Sequence, residues 1–290
     1  MSGGYRQLLD ATIGHLESLK QQGVHHVYAS PELLNILKQP KFAPDSLSEN
    51  QGEQSRATLQ VIAKPKVGNS IYDSPRLGVD DKNSAMLIIK QEILTIERSP
   101  ELLASKANLV FGSGNLEADL MLIGEAPGEE EDKAGIPFVG RAGQLLTKIL
   151  LAANFDRENV YIANIVKYRP DTLGQVFGNR KPRPDEIKFW FPYLDRQIEI
   201  IQPKVIVALG ATALGGLLGN MPTGITRLRG KWQSYRSVPV MPTFHPSYLL
   251  RNQSWAVKRQ VWEDMLQVME RLNMPISEKQ RGYFLREVSI

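Results

Sequence analysis

Short apolar runs alternate with amphipathic segments over most of the second part of the chain. Four runs are almost wholly apolar, as expected for parallel strands that are buried on both faces. They span residues 120–123, 159–167, 204–209 and 238–244. A helical period predicts helices at about residues 143–153, 184–201, 210–218 and 254–272. Because strands alternate with helices, the sequence predicts an α/β fold: a three-layer α/β/α sandwich around a four-stranded parallel sheet.

The segments that flank this region differ from it in composition and pattern. Residues 1–38 contain two helical periods and predict a helical N-terminal extension. Residues 39–84 are dominated by Pro, Lys, Ser, Asn, Gly and Gln, which predicts a flexible, partly disordered linker. We therefore expect one globular domain at residues 85–273, opening with a helix, and a C-terminal tail at residues 274–290.

The composition narrows the class of protein without fixing its activity. With 290 residues, 42% hydrophobic and 23% charged, the chain is typical of a soluble globular protein. The net charge of +4 permits a polyanionic partner but does not require one. The absence of cysteine excludes disulfides and thiolate metal sites. No apolar run is long enough to span a membrane, so we expect a cytoplasmic protein without a membrane partner.

The first predicted strand ends in a loop rich in Gly and Pro, GEAPG at residues 124–128. Open α/β sheets bind ligands where a strand passes through such a loop into a helix, and here the loop carries the carboxylate of Glu125. The loop matches neither a dinucleotide-binding fingerprint nor a P-loop, and the four acids at residues 129–132 would repel a phosphate. The alternative interpretation is an ordinary crossover with a solvated acidic turn.

Three polar residues lie at or after the ends of different predicted strands: Glu125, Asn164 and His245. Because the carboxyl ends of parallel strands lie on one edge of a sheet, we expect these side chains to converge. Together they supply an anion, an amide that donates and accepts, and an imidazole that titrates near neutral pH. Taken singly, Asn164 is equally compatible with a strand-end hydrogen bonder, and His245 with a capped loop residue.

The loop after His245 is unusually apolar for a surface segment. Its residues Tyr248, Leu249, Leu250 and Arg251 predict a wedge that enters a stacked duplex, with Arg251 on a phosphate. In the alternative interpretation, the loop docks its leucines in the core.

Basic side chains concentrate on the same edge of the predicted sheet. Lys167, Arg169 and Arg180 lie around the loop after the second strand, and Arg251 lies in the loop after the fourth. Such a rim would follow a phosphate backbone and make DNA binding sensitive to salt. An ordinary solvated face is the competing interpretation.

Several motifs occur together in this chain: GEAPGEEEDKAGIPFVGRAG, YIANIVKYRP followed by GNRKPRP, KVIVALGATA, and HPSYLLR. In this order they closely resemble the family-4 branch of the uracil-DNA glycosylase superfamily, over roughly residues 97–272. The resemblance implies a four-stranded parallel sheet between helices, and hydrolysis of the N-glycosidic bond of deoxyuridine. The implied partner is uracil-containing DNA, single- or double-stranded, with Leu249 and its neighbours inserting into the duplex.

The resemblance also implies roles for individual residues of this chain. Glu125 would activate water or stabilise a cation, and His245 would donate a hydrogen bond to the leaving base. Asn164 would read the edge of uracil, and Phe138 would stack on it. The expected uracil pocket comprises Ala126, Gly128, Phe138 and Asn164.

The chain departs from the resembled family in one respect. That family ordinarily holds a four-iron, four-sulfur cluster on four cysteines, and this chain has none. Glu97, Pro100, Tyr168 and Trp190 stand where those cysteines belong. Because a cluster needs thiolates, we expect no iron–sulfur cofactor and no metal site. We expect the rings of Tyr168 and Trp190 to fill part of that space by apolar packing.

The favoured interpretation is a monomeric, cluster-free uracil-DNA glycosylase that leaves an abasic site in DNA. One alternative is a non-catalytic DNA-binding or repair-scaffold protein with the same fold, which the lost cysteines and the long N-terminal extension favour. The other is a glycosylase for other deaminated bases. The intact set of Glu125, Asn164 and His245 favours an enzyme.

Overall fold

The computed structural model describes residues 77–96, 107–170, 179–219 and 224–285. The predicted N-terminal extension, most of the predicted linker, and Glu97 and Pro100 lie outside these ranges. The described residues form one mixed sheet with helices on both faces.

Four parallel strands form the centre of the sheet, as the sequence predicts. The strands are β1 (Ser113–Gly114), β2 (Leu120–Gly124), β3 (Tyr161–Asn164), β4 (Val205–Leu209), β5 (Gln233–Tyr235) and β6 (Val238–Thr243). Their order across the sheet is β1-β3-β2-β4-β6-β5, and β3, β2, β4 and β6 run parallel. The short strands β1 and β5 add an antiparallel edge on either side.

The predicted helices of the domain are all present in the described ranges. The helices are α1 (Val79–Thr95), α2 (Glu129–Ala134), α3 (Arg141–Ala152), α4 (Pro184–Ile201), α5 (Ala211–Leu218), α6 (Ile225–Leu228), α7 (Pro246–Arg251), α8 (Trp255–Arg271) and α9 (Glu278–Arg281). Among these described helices, none combines the length and the apolar character needed to cross a membrane.

Alternate residues of each central strand enter opposite cores. In β2, Met121 and Ile123 pack into the core that α1, α4 and α5 cover. Leu120 and Leu122 pack into the core that α3 and α8 cover. Every residue of β2 is buried, because both faces of the sheet are covered. The three-layer sandwich therefore explains why these strands appear in the sequence as continuous apolar runs.

The carboxyl ends of the parallel strands lie side by side on one edge of the sheet. Gly124 pairs with Asn164 in the β2–β3 register, and Leu209 pairs with Thr243 in the β4–β6 register. The residues that follow these strand ends, including His245, come to the same edge. This arrangement brings the residues at the ends of the parallel strands to one edge of the sheet.

Helix α1 begins earlier than the sequence suggests. It starts at Val79, inside the predicted linker, and its Lys82 is buried. The Lys82 ammonium donates hydrogen bonds to the carbonyls of Leu116 (3.1 Å) and Ile201 (3.3 Å). These contacts hold the first turn of α1 against the sheet. The folded domain therefore begins inside the segment that the sequence assigns to the linker.

The chain also continues to pack beyond α8. Residues 274–285, which the sequence assigns to a tail, contain α9, and Gln280 of this helix is buried. Trp262 Nε1 donates to the Gln280 carbonyl at 2.6 Å, and the ring of Tyr283 lies 5.2 Å from that of Trp262. The folded domain thus extends past the predicted boundary because α9 covers part of α8.

Candidate active site

A cavity of about 490 Å³ opens at the carboxyl edge of the sheet. Its size is in the range of small-molecule sites, about 300–1,000 Å³. The loops after β2, β4 and β6 contribute to its wall, together with residues 179–181. The wall includes Glu125, Ala126, Gly210, Phe244, His245, Tyr248 and Arg251. Glu125 and His245, from separate motifs, therefore face one space.

One carboxylate ties the loop after β2 to the segment that carries Phe138. Glu131 accepts hydrogen bonds from the N–H groups of Gly128 (3.1 Å), Val139 (3.0 Å) and Gly140 (2.8 Å). A Cβ at Gly128 would lie 2.7 Å from this carboxylate, so glycine allows the close approach. The sequence pattern places Glu131 in a solvated acidic turn and misses this role. The sequence does contain a signal for this role, because Glu131 lies three residues after Gly128, which caps the helix.

The Phe138 ring is buried beside the imidazole of His245. The two ring centroids are 5.6 Å apart and the planes are inclined by 34°. Phe138 has a left-handed backbone with φ of 54°, and Arg157 donates to the carbonyl of the preceding Pro137. Gly143 of α3 approaches so closely that a Cβ there would overlap the Phe138 carbonyl. Surrounding contacts thus hold a backbone conformation of the kind found at ligand sites.

Asn164 is the last residue of β3 and is 2% exposed. Its Oδ1 has no hydrogen-bond partner within the part of the chain that the structure describes. Leaving a buried acceptor unpaired costs about 1–3 kcal/mol, so this atom is suited to a ligand donor. A Cβ on the opposite Gly124 would overlap both the Asn164 amide and the Phe138 ring. The amide and the ring are therefore neighbours.

His245 caps the N-terminus of α7. Its Nδ1 accepts the N–H of Ser247 at 3.1 Å and lies 2.8 Å from Ser247 Oγ. A neutral ring whose Nδ1 accepts carries its proton on Nε2, which leaves Nε2 as a donor. Burial is the main cause that lowers the pKa of His245 to about 4; Arg251 adds to this effect and Glu131 opposes it. The imidazole is therefore neutral at pH 7.

A sequence model of the uracil DNA glycosylase superfamily matches residues 111–266, more than half of the chain. The chain belongs to this superfamily. It is 46% identical over 187 residues to the type-4 uracil-DNA glycosylase of Thermotoga maritima, a match that covers 63% of this chain and 93% of the relative. It is 40% identical over 190 residues to the type-4 uracil-DNA glycosylase of Sulfurisphaera tokodaii, covering 63% and 82%.

A third similarity is confined to part of a larger protein. The chain is 33% identical over 141 residues to a DNA polymerase of Bacillus phage SP01. This match covers 48% of the chain but only 14% of the polymerase. The superfamily match contains Glu125, Phe138, Asn164 and His245, so all four side chains described above lie within it.

Helix α7 uses its leucines differently from the expectation that the superfamily resemblance gives. Tyr248 and Arg251 line the cavity, and Arg251 is exposed. Leu249 is 5% exposed and packs with Val261 of α8. The structure therefore contradicts Leu249 as a wedge, because α8 supplies an apolar surface behind it. Leu250 is half-buried next to Arg251.

Lys167 does not contribute to a basic rim. The side chain is fully buried, and its ammonium donates to Gln197 Oε1 at 2.5 Å and to the Phe111 carbonyl at 3.2 Å. Burial lowers the pKa of Lys167 to about 7. The prediction that Lys167 binds DNA is wrong, because its ammonium is enclosed in the domain and occupied there.

The remaining basic residues of this edge differ in how strongly they are paired. Arg180 lines the cavity and donates to both carboxylate oxygens of Glu186, at 2.8 and 2.6 Å. Arg169 donates to Asn179 Oδ1 at 3.2 Å. Lys181 is exposed and lines the cavity together with Arg180. Positive charge from Lys181 and Arg251 therefore reaches the cavity rim even though Arg180 is paired with Glu186.

The residues at the expected cluster positions do not fit an iron–sulfur group. The chain has no cysteine, and the rings of Tyr168 and Trp190 are buried with centroids 5.3 Å apart. The rings of Phe189 and Tyr193 lie 4.9 and 5.8 Å from Trp190. Among the described residues, no group of three His, Cys, Asp or Glu could hold a metal ion. Aromatic packing occupies the space between the end of β3 and α4.

Proposed function

We propose that this protein hydrolyses the N-glycosidic bond of deoxyuridine in DNA, releasing uracil and leaving an abasic site. The observation that carries the proposal is the buried, unpaired Oδ1 of Asn164 beside the Phe138 ring. Membership of the uracil-DNA glycosylase superfamily supports the same reaction.

The Asn164 amide matches the edge of uracil. Its Oδ1 can accept from uracil N3–H while its Nδ2 donates to O4, whereas cytosine presents the opposite pattern of donor and acceptor. Sites built on such hydrogen bonds reject a mismatched partner by about 10⁴–10⁵. Phe138 supplies a ring on which the flipped base stacks. Selection of uracil over cytosine therefore rests on the Asn164 amide, whose acceptor oxygen has no competing donor among the residues that the structure describes.

Cleavage produces a uracil anion and a cationic sugar. His245 is suited to stabilise the anion, and Glu125 the cation. The C1′–N1 bond breaks with its electron pair on uracil, and water supplies hydroxide to C1′ and a proton to the released products. Neutral His245 would donate through Nε2 to the developing uracil anion. Glu125 would stabilise the cationic sugar or orient the attacking water. Such hydrogen-bond donors are worth about 2.7–4 kcal/mol each in the transition state.

The DNA strand would run along the rim that carries Lys181 and Arg251. Both side chains are exposed at the cavity, where they can bind phosphates on either side of a flipped nucleotide. The proposal includes activity on single and double strands, a monomeric enzyme and a cytoplasmic location. It also includes no cofactor, because hydrolysis needs only water and the chain has no thiolate for a cluster.

The assay is single-turnover release of uracil from a labelled oligonucleotide, followed by alkaline cleavage of the abasic site. Asn164→Ala and His245→Ala should each slow release about 10²–10³-fold. Binding to undamaged duplex should change little, because phosphate contacts dominate it. The matched control is Asn154→Gly. Asn154 lies outside the cavity, and glycine adopts its φ of 60° without strain. Wild-type rates for both active-site variants would refute the assignment.

A further inference from the structure

A buried ion pair lies directly behind the strand end that carries His245. Asp264 of α8 is 0% exposed, and Arg229 donates to its carboxylate through Nε at 3.1 Å and through Nη2. Thr243 Oγ1 also donates to Asp264, at 2.6 Å. Thr243 is the last residue of β6 and lies two positions before His245. The carboxylate thus joins α8, the segment after α6 and the end of β6.

Arg229 also contacts Phe244, the residue that lies between Thr243 and His245. The guanidinium carbon of Arg229 is 5.8 Å from the ring centroid of Phe244, within cation–π range. The Phe244 ring in turn lies 4.7 Å from that of Tyr248, and both rings line the cavity. Both residues that lead into His245 are therefore held by Arg229 and Asp264.

Stability alone gives little reason to keep charges at this place. Replacing a buried ion pair by well-packed apolar side chains is often neutral or stabilising. Burial raises the pKa of Asp264 to about 6, which reflects the cost of enclosing the carboxylate; Thr243 and Arg229 oppose that effect. The pair of Arg229 and Asp264 supplies directed hydrogen bonds at the end of β6, which apolar packing cannot supply.

We propose that Arg229 and Asp264 are positioning residues that orient the imidazole of His245 by fixing Thr243 and Phe244. The inference rests on the proposed function and adds a second layer of residues to it. Neither side chain is part of the cavity wall, so their effect on uracil release passes through His245. A displacement of about 1 Å at a catalytic group can cost roughly 10²-fold in rate.

The test compares Thr243→Val, which keeps the shape and removes the hydroxyl, with Thr243→Ser, which restores the hydroxyl. Thr243→Val should slow single-turnover uracil release about 10- to 100-fold, with unchanged affinity for uracil-containing DNA. The rate of uracil release by Thr243→Ser should remain within about twofold of the wild-type rate, because serine keeps the hydroxyl that donates to Asp264. If Thr243→Val does not fold, Arg229→Lys provides the second variant, with the same expected loss.

A titration of His245 by NMR gives a readout that a merely structural role would not move. Its pKa should rise from about 4 toward the usual 6.5 in Thr243→Val, because a loosened ring is better solvated. Val240→Ala is the control, since Val240 is buried on the same strand and has no polar contact to the pair. It should lower stability and leave both the His245 pKa and the release rate unchanged.

The proposal is overturned if folded Thr243→Val keeps the wild-type rate and His245 pKa, or if Val240→Ala produces the same losses. A wild-type protein that releases no uracil would refute the proposed function instead. In that case the titration of His245 in the same variants still decides whether the pair orients the ring.

Discussion

Trp190 is the most direct place to test whether aromatic packing has replaced an iron–sulfur cluster. The side chain is 3% exposed and contacts three other rings, those of Tyr168, Phe189 and Tyr193. Trp190→Ala removes the ring and leaves a cavity, which costs about 3–5 kcal/mol for a buried aromatic side chain. For a domain of this size the change corresponds to a melting temperature lower by roughly 6–20 °C.

The assay is urea unfolding followed by circular dichroism, since the substitution removes a fluorescent reporter. Trp255→Ala is the matched control, because it makes the same chemical change at a side chain that is 57% exposed. We expect this control to change the free energy of unfolding by less than about 1 kcal/mol. If Trp190→Ala is no more destabilising than Trp255→Ala, the ring does not stabilise the domain in place of the cluster.

Three further predictions concern the site and its rim. The His245 pKa of about 4 lies below the usual 6.5. His245 therefore contributes stability at neutral pH that is lost as the pH falls from about 6.5 through 4. A His245 pKa near 6.5, measured by NMR, would contradict this. Leu250→Ala should slow release from duplex more than from single strands, whereas Leu249→Ala should lower stability by about 2–5 kcal/mol and affect both substrates equally. Arg251→Ala should reduce the slope of log affinity against log salt by about 0.9, and an unchanged slope would exclude a phosphate contact.

The core strands could be predicted because burial on both faces leaves a continuous apolar run. Every residue of β4 is buried, and its sequence VIVAL contains no polar residue. The edge strand β1 could not be predicted in this way. Its residues Ser113 and Gly114 are held by backbone pairing with Ile162 and Tyr161, which leaves no hydrophobic pattern in the sequence.

The meeting of Glu125 and His245 at one cavity could be predicted from strand ends and motifs, whereas the environment of single charges could not. Lys167 is the last residue of a predicted strand and resembles a rim residue in sequence. Its acceptor is Gln197, which lies 30 positions later on α4, so only the packed fold reveals that the ammonium is enclosed. The role of Glu131 is hidden for a similar reason, because two of its donors belong to a segment eight and nine residues away.

The measurement that tests the central claim most directly is base release by the purified 290-residue chain, with iron quantified in the same sample. Single- and double-stranded oligonucleotides would carry uracil, hypoxanthine or a T:G mismatch at one position. We expect release of uracil from both kinds of strand, no cleavage at cytosine, and no stoichiometric iron. Absence of uracil release, or release that appears only with bound iron, would contradict it.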